Sequence, residues 1–455
     1  MLNEAIIACC ERLFRPGCRE GMPLLRRAAH QLPRAIQKCP VAMRYHSLLV
    51  SIAWDEFPER DLMTPYRHQP IAYASFAAAC LVKINQHFTY MSQLHEYLSE
   101  HPQLARLLGF AEDLPTVRHL NRMLRQMPNT CFQFLLDETV RLLQDELVSR
   151  VPDFGQAISL DTKHIIAWVK ENNPKAYVSD RFDAAQQPSD PDCRVGCKRK
   201  HNFQTPATDA QPASSTAVGE YYWGYASGVV VSKVPTWGEV VLAELTQPFD
   251  CADVSYFHPL MQKTEQRLGF RPRFGTFDAA FDAFYVYEHF HPESDNWQDG
   301  FAAVPFSKRN TRRKTFSPDG APHCEADLPM HLQRTYMNNT SMVPHERAVY
   351  TCPIIGQRDA CPVDHKKWTQ GGCEHRMPTS VGARVRHEID RNSDLYKDVY
   401  RQRTATERIN SQAVELGIER PKLRNQQAIA NQNTLIYVLI NLRLLQRVKA
   451  KLAGG

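Results

Sequence analysis

At Gln156 the spacing of apolar residues along this chain changes its period. Upstream, they recur at three- and four-residue intervals, as in the stretches from Pro70 to Leu98 and from Asp137 to Val151, which predicts helices. Downstream come short apolar or alternating runs divided by turn residues: AISLD, GYASGVVVSKV, EVVLAELTQPF, PRFGTFD and GFAAVPF. These runs predict five strands. Helical stretches from Tyr256 to Leu268 and from Phe281 to Phe290 lie between and after the later strands, so an all-helical region is followed by an α/β core.

The chain divides accordingly into a helical region over 1–150, the first part of the core over 151–307, an insert over 308–390 and C-terminal core helices over 391–455. Residues 179–220, rich in Pro, Ser, Asp, Gln and Ala, read as a loop insertion in the core. Strong helical patterns return from Asp390 to Leu416 and from Arg424 to Lys451. At 455 residues, the length suits roughly two to four domains. The run LIYVLINLRLL is too short to span a bilayer, carries Asn441 and Arg443, and reads as a buried helix. With Glu4 near the start and no signal-like segment, the expectation is a cytoplasmic protein without membrane contact.

Fifty-five basic against 49 acidic residues leave a charge of +6, which permits nucleic-acid binding without requiring it. KRNTRRK, with Lys308, Arg309, Arg312 and Arg313, directly follows the fifth strand and suits either a solvated loop or phosphate contact. In the helical region, Leu104 to Phe110 with Gly109, then Pro115 and a helix bearing Arg118 and Arg122, fits a helix-turn-helix or an ordinary helical hairpin, and the expectation for residues 1–150 is a DNA-binding region.

Asp161 and Asp278 fall at the ends of the first and fourth strands, and Glu407 lies in a late helix. Singly, such residues are turn residues, caps or solvated charges. Together, two strand ends and a helix can offer hard oxygen ligands for two-metal phosphoryl transfer, which needs ions about 3.5–4 Å apart. Tyr400, Arg403 and Glu407 are spaced to share one helical face. Asp282 is an alternative ligand to Asp278, while Asp250 and Asp253 read as caps of the helix near Tyr256.

The string YRQRTATERIN carries the Y-x2-R-x3-E pattern of insertion-sequence DDE transposases, and SLDTKHI and TFDAAFDAF resemble the strands bearing that family's two aspartates. The resemblance spans about residues 155–450. It implies a ribonuclease-H-like mixed sheet with flanking helices, magnesium, two ions, on Asp161, Asp278 and Glu407, and DNA contacts from Tyr400 and Arg403. It further implies cleavage and strand transfer on double-stranded DNA, by a homo-oligomer that unites element ends. A Lys expected seven residues after the Glu is replaced by Val414, leaving Arg408, Arg420 or Lys422 to supply that charge. A catalytically inactive DNA-binding protein of the same fold and a related metal nuclease are the alternatives.

Thirteen cysteines in a reducing compartment favour metal binding or burial over disulfides. Cys324, Cys352, Cys361 and Cys373, with His323, His365 and His375 interleaved, suit a structural zinc site or simply buried thiols. Cys193, Cys197 and His201 offer only three ligands and read as non-ligating.

Overall fold

The computed structural model describes residues 21–60, 71–110, 114–173, 189–205, 214–307, 314–355, 357–363 and 372–454. Before Gln156, the regular structure among the described residues is entirely helical: α1 Gly21–Arg26, α2 Arg34–Gln37, α3 Pro40–Leu49, α4 Tyr73–Asn85, α5 Met91–Glu100, α6 Pro102–Leu107, α7 Val117–Gln126 and α8 Asn129–Leu147. The pattern from Pro70 to Leu98 breaks at 86–90 into α4 and α5, where His87 takes a left-handed φ of 56°. Residues 108–116 separate α6 from α7, a longer connection than the three- or four-residue turn of a DNA-binding helix-turn-helix.

The core strands are β1 Ala157–Ile166, β2 Arg194–Thr205, β3 Ser214–Val234, β4 Gly238–Pro248, β5 Phe274–Thr276 and β6 Phe301–Ala303. They form one mixed sheet. β1 is central, pairing antiparallel with β3 and parallel with β5, and β6 continues in parallel beyond β5. β4 and β2 both pair antiparallel with β3, β4 along Tyr225–Val234 and β2 along Ser214–Gly224. The helix α9 Phe257–Leu268 connects β4 to β5, and α10 Phe284–His289 lies between β5 and β6.

The expected loop over 179–220 is corrected by this pairing. Arg194 pairs with Gly224 and Thr205 with Ser214, so much of the segment is an antiparallel ribbon. Its many polar residues hide the alternation that marks a half-buried strand, while backbone hydrogen bonds hold it regardless of side-chain polarity. The helix expected over Phe281–Phe290 is likewise shorter, with a 3-10 turn at Ala279–Phe281 preceding α10.

Within the insert, β7 His331–Asn338, β8 His345–Thr351 and β9 Glu374–Pro378 make a separate antiparallel sheet in the order β7-β8-β9. The last residues assigned to the insert return to the core as α11 Val381–Glu388. A bidentate, buried ion pair fastens it there: Arg386 donates to both Asp282 oxygens at 2.6 and 2.5 Å. The helix expected from Asp390 to Leu416 is in three parts, α12 Asp394–Tyr400, a 3-10 turn Arg401–Arg403 and α13 Thr404–Glu415.

The chain ends in α14 Gln426–Ala453, capped by the Asn425 side chain, which accepts from Ala428 N. Its residues Leu435–Leu442 are all buried. Asn441, the polar break in that apolar run, has a structural use. The register of β4 against β3 shifts at Val230/Val231, skipping Leu242, and β4 pairs with no other strand among the described residues; beside the shift the Asn441 amide bonds both Val241 N and Val241 O, at 2.9 and 2.8 Å. The sheet separates two apolar cores. One contains helices of the N-terminal region, α13, most of α14, and Ile165, Val229 and Val231; the other contains α9, α10 and α12 with Ile158, Leu160 and Val230.

Candidate active site

β1 and β5 run parallel with Ala157 opposite Phe274 and Ser159 opposite Thr276. The same offset carried two residues further sets Asp161 level with Asp278. Asp161 does not end its strand, as expected, since β1 continues to Ile166 paired with β3. What ends there is β5, so Asp161 stands where β1 loses its parallel neighbour. Asp278 follows β5 and caps the 3-10 turn, accepting from Ala280 N at 2.8 Å.

Electrostatics tie the two carboxylates to a third. Burial pushes the Asp161 carboxyl up to about 6, Asp278 and Asp253 push the same way, and Arg403 pulls against them. Burial likewise raises Asp278, again with Asp253 adding to the rise and Arg403 opposing it. Asp253 is therefore not the helix cap expected of it: it accepts from Thr162 Oγ1 at 2.7 Å and faces the two aspartates. Its proximity arises because the 3-10 turn Asp253–Tyr256 and the turn capped by Asp278 flank the same end of β5, a relationship no local motif announces.

Arg403 and Glu407 form an ion pair at 3.1 Å. Asn410, one turn beyond Glu407 on α13, donates to Asp161 Oδ2 at 3.4 Å. Arg403 Nε and Asn410 Oδ1 are both buried, without hydrogen-bond partners among the described residues. Glu407 and Asp161 border one open cleft of about 510 Å3, whose other walls include Thr162, Lys163, His164, Lys198, Tyr222, Val414 and Arg420. Tyr400 is turned instead toward the second core, its ring stacked on Tyr396 at 6.0 Å.

Val414 thus lines the cleft at the position where the family pattern has Lys. Of the three basic residues considered in its place, Arg420 borders the cleft, Arg408 is bound to Glu239 at 2.5 Å and Lys422 lies over the Trp168 ring at 5.6 Å. Asp282 is fully engaged elsewhere. Besides Arg386, it accepts from Tyr287 OH and Ser307 N, both at 2.8 Å, and although burial pushes its carboxyl up, these bonds bring it below the usual value.

Among the described residues, no three His, Cys, Asp or Glu side chains converge closely enough to hold a metal ion. Magnesium, however, is characteristically bound through one or two carboxylates with water and substrate phosphates. Asp161 and Asp278 fit that donor set; Glu407, held by Arg403, does not complete a three-carboxylate cage. In the insert, Cys324, Cys352 and Cys373 gather with Met330, Tyr350 and Ile354 in a small apolar cluster, while Cys361 Sγ donates to Val363 O at 3.3 Å.

Arg118 and Arg122 are exposed on α7, on the face away from its buried Leu120, Met123 and Leu124. Lys308, Arg309, Arg312 and Arg313, and His365 in the insert, lie outside the described residues. His323 pairs with Asp327 at 2.8 Å and His375 with Lys314. No helix among the described residues is long and apolar enough to cross a membrane.

The fold and site define a mixed α/β protein with flanking helices and paired carboxylates at the point where a parallel strand pair ends. No family model matches the chain, and no curated protein matches it. Among solved structures, a crystal structure of a pre-cleavage Mos1 transpososome is similar over 60% of this chain and 69% of that one, at 14% identity and a TM-score of 0.09. A likeness of that degree carries no argument about fold or activity.

Proposed function

We propose that this chain is a metal-dependent DNA transposase of the insertion-sequence type, with a ribonuclease-H-like core that cuts element ends and joins them to target DNA. The observation that carries the reading is the parallel register of β1 and β5, which, continued two residues past its last pair, sets Asp161 level with Asp278, beside a cleft lined by carboxylates as well as basic residues. The sheet supports the fold assignment: β1 is central, with antiparallel strands on one side and parallel strands on the other.

Asp161 and Asp278 are the residues that would hold a magnesium ion, which when bound supplies Lewis-acid stabilisation to phosphoryl oxygens. Arg403 offsets the charge of Asp161 and Asp278 while paired with Glu407, and in this reading it would exchange that partner for a DNA phosphate. Asn410 orients the Asp161 carboxylate. Arg420, Lys163 and Lys198 edge the cleft and position the phosphate backbone without reading sequence. Glu407 would be available as a ligand if Arg403 exchanged it for DNA, and assembly of two or more copies on paired ends belongs to the same proposal.

The test is magnesium-dependent cleavage of duplexes carrying the sequences that flank the coding region, comparing wild type with Asp161→Ala, Asp278→Ala and Glu407→Ala at matched folding and DNA binding. Loss of cleavage with retained binding in Asp161→Ala and Asp278→Ala is the expected outcome. Cleavage that survives either substitution removes that residue from the site, and absence of metal-dependent cleavage by the wild type removes the enzyme assignment.

A further inference from the structure

The end of α4 meets the link between α13 and α14 around a cavity of about 80 Å3, room for a few water molecules or one small ion. Lys83 and Gln432 form its buried floor, where the Lys83 ammonium donates to Gln432 Oε1 at 3.1 Å. An ammonium has three hydrogens to place, and that amide oxygen is its one hydrogen-bond acceptor among the described residues. No carboxylate accompanies it. Burial lowers Lys83 from the usual lysine value, and the group that works against this is the Cys80 thiol, itself pushed by burial up to about 12 and so uncharged at neutral pH. A buried cation without a partner is costly, and the cost is relieved by losing the proton or by gaining a counterion.

The other groups around the cavity favour the counterion. Arg420 and Lys422 stand against one carboxylate, Glu415; Lys422 lies over the Trp168 ring, while Arg420 has no ion pair among the described residues. His87 closes one side, its Nδ1 bonded to Glu415 O at 3.0 Å. Two helices end here, and helix ends repel anions where their carbonyls are bare. These are engaged: Lys83 O, Ile84 O, Ala413 O and Val414 O accept from the amides of Phe88, His87, Ile418 and Gly417.

We propose that this cavity binds a small free oxyanion, inorganic phosphate, held between Lys83 and Arg420. The site stands apart from the DNA chemistry proposed above and does not depend on it. Lys83 is only 4% exposed, so a duplex phosphate, flanked by sugars on both sides, is kept from the ammonium that a free tetrahedral ion can reach. Arg420 also borders the cleft beside Asp161, so filling the cavity engages a guanidinium that the two sites share.

The experiment titrates inorganic phosphate into the full chain by isothermal calorimetry, in chloride buffer of constant ionic strength, using wild type, Lys83→Met and Arg420→Ala. Expected is saturable binding by wild type, weakened about ten-fold or more in Lys83→Met and by a smaller factor in Arg420→Ala, since each loses a hydrogen bond to a charged group. If wild type binds no phosphate, or either variant binds it as wild type does, the cavity is not an anion site. Arg420 is exposed, so its variant keeps the test decisive should Lys83→Met fail to fold. A blunt duplex titrated into the same proteins separates the two sources of phosphate. Its affinity should change less than about two-fold in Lys83→Met; a loss of about ten-fold would make DNA the ligand and overturn the free-ion assignment.

Discussion

Arg403 donates to Glu407 at 3.1 Å while also serving as the cation that offsets Asp161 and Asp278. One guanidinium thus separates the three carboxylates into a half-buried aspartate pair and an engaged glutamate. Their contributions to metal affinity should therefore differ. In the absence of DNA, manganese binding followed by isothermal titration should weaken by about ten-fold or more in Asp161→Asn or Asp278→Asn, by analogy with the cost of disturbing a metal's ligand shell. Glu407→Gln should stay within about two-fold of wild type. An equal loss in all three variants would mean that Glu407 already belongs to the site without DNA.

The Asp282–Arg386 pair is the main polar tie between the insert's exit helix and the core. With side chains only 1% and 8% exposed, neither group can recover water when the other is removed. Asp282→Ala and Arg386→Ala should each cost about 3–5 kcal/mol in urea unfolding. Their double variant should cost less than the sum, because the second truncation removes the stranded charge. Additive losses would show that the two residues act independently.

His387 gives the same junction a pH dependence. Burial first, then Arg386, Lys314 and Arg391, depress its imidazole to about 3, and its Nδ1 accepts from Lys314 N at 3.3 Å between the rings of Phe306 and Phe316. A depressed folded value means that the unfolded chain takes up the proton first. The stabilisation is complete above about 6.5 and is lost as the pH falls from there toward 3, at up to about 1.4 kcal/mol per pH unit. His387→Gln should destabilise at pH 7.5, and its deficit relative to wild type should shrink by about 1–2 kcal/mol at pH 5. A deficit constant between the two pH values would show that His387 is not held neutral.

The period change at Gln156, the strand bearing Asp161 and the one leading to Asp278, and the buried C-terminal helix were all legible, because each is a local pattern of apolar residues. The β2–β3 ribbon was not, since its polar residues leave only backbone pairing to define it. Nor was the break at Arg401–Arg403, which keeps helix-like dihedrals while changing hydrogen-bond spacing. Asp253 looked like a cap because its partner Thr162 lies 91 residues away. The ring cluster of Tyr222, His164 and Phe249 comes from three strands or strand ends, and no linear spacing connects them.

The thiol cluster of the insert calls for a test of its own. Cys352 and Cys373 are buried against Met330, and Cys324 packs on them. On that packing, prolonged chelation should leave the melting temperature unchanged, whereas Cys352→Ser should cost about 1–3 kcal/mol by placing a hydroxyl among apolar groups. A fall in melting temperature on chelation, with zinc found by elemental analysis, would instead make these thiols ligands.

The placement of α14 bears on how the molecule is made. Helices near the beginning of the chain share their apolar interior with a segment that begins at Gln426, and Lys83 even reaches Gln432 at 3.1 Å. During synthesis those early helices must wait, incompletely packed, until the segment from Gln426 onward has left the ribosome. Contacts so distant in sequence are slow to form. Nascent chains halted before Gln426 should therefore be readily digested by protease and held by chaperones, and release of α14 should be the event that closes both apolar cores at once.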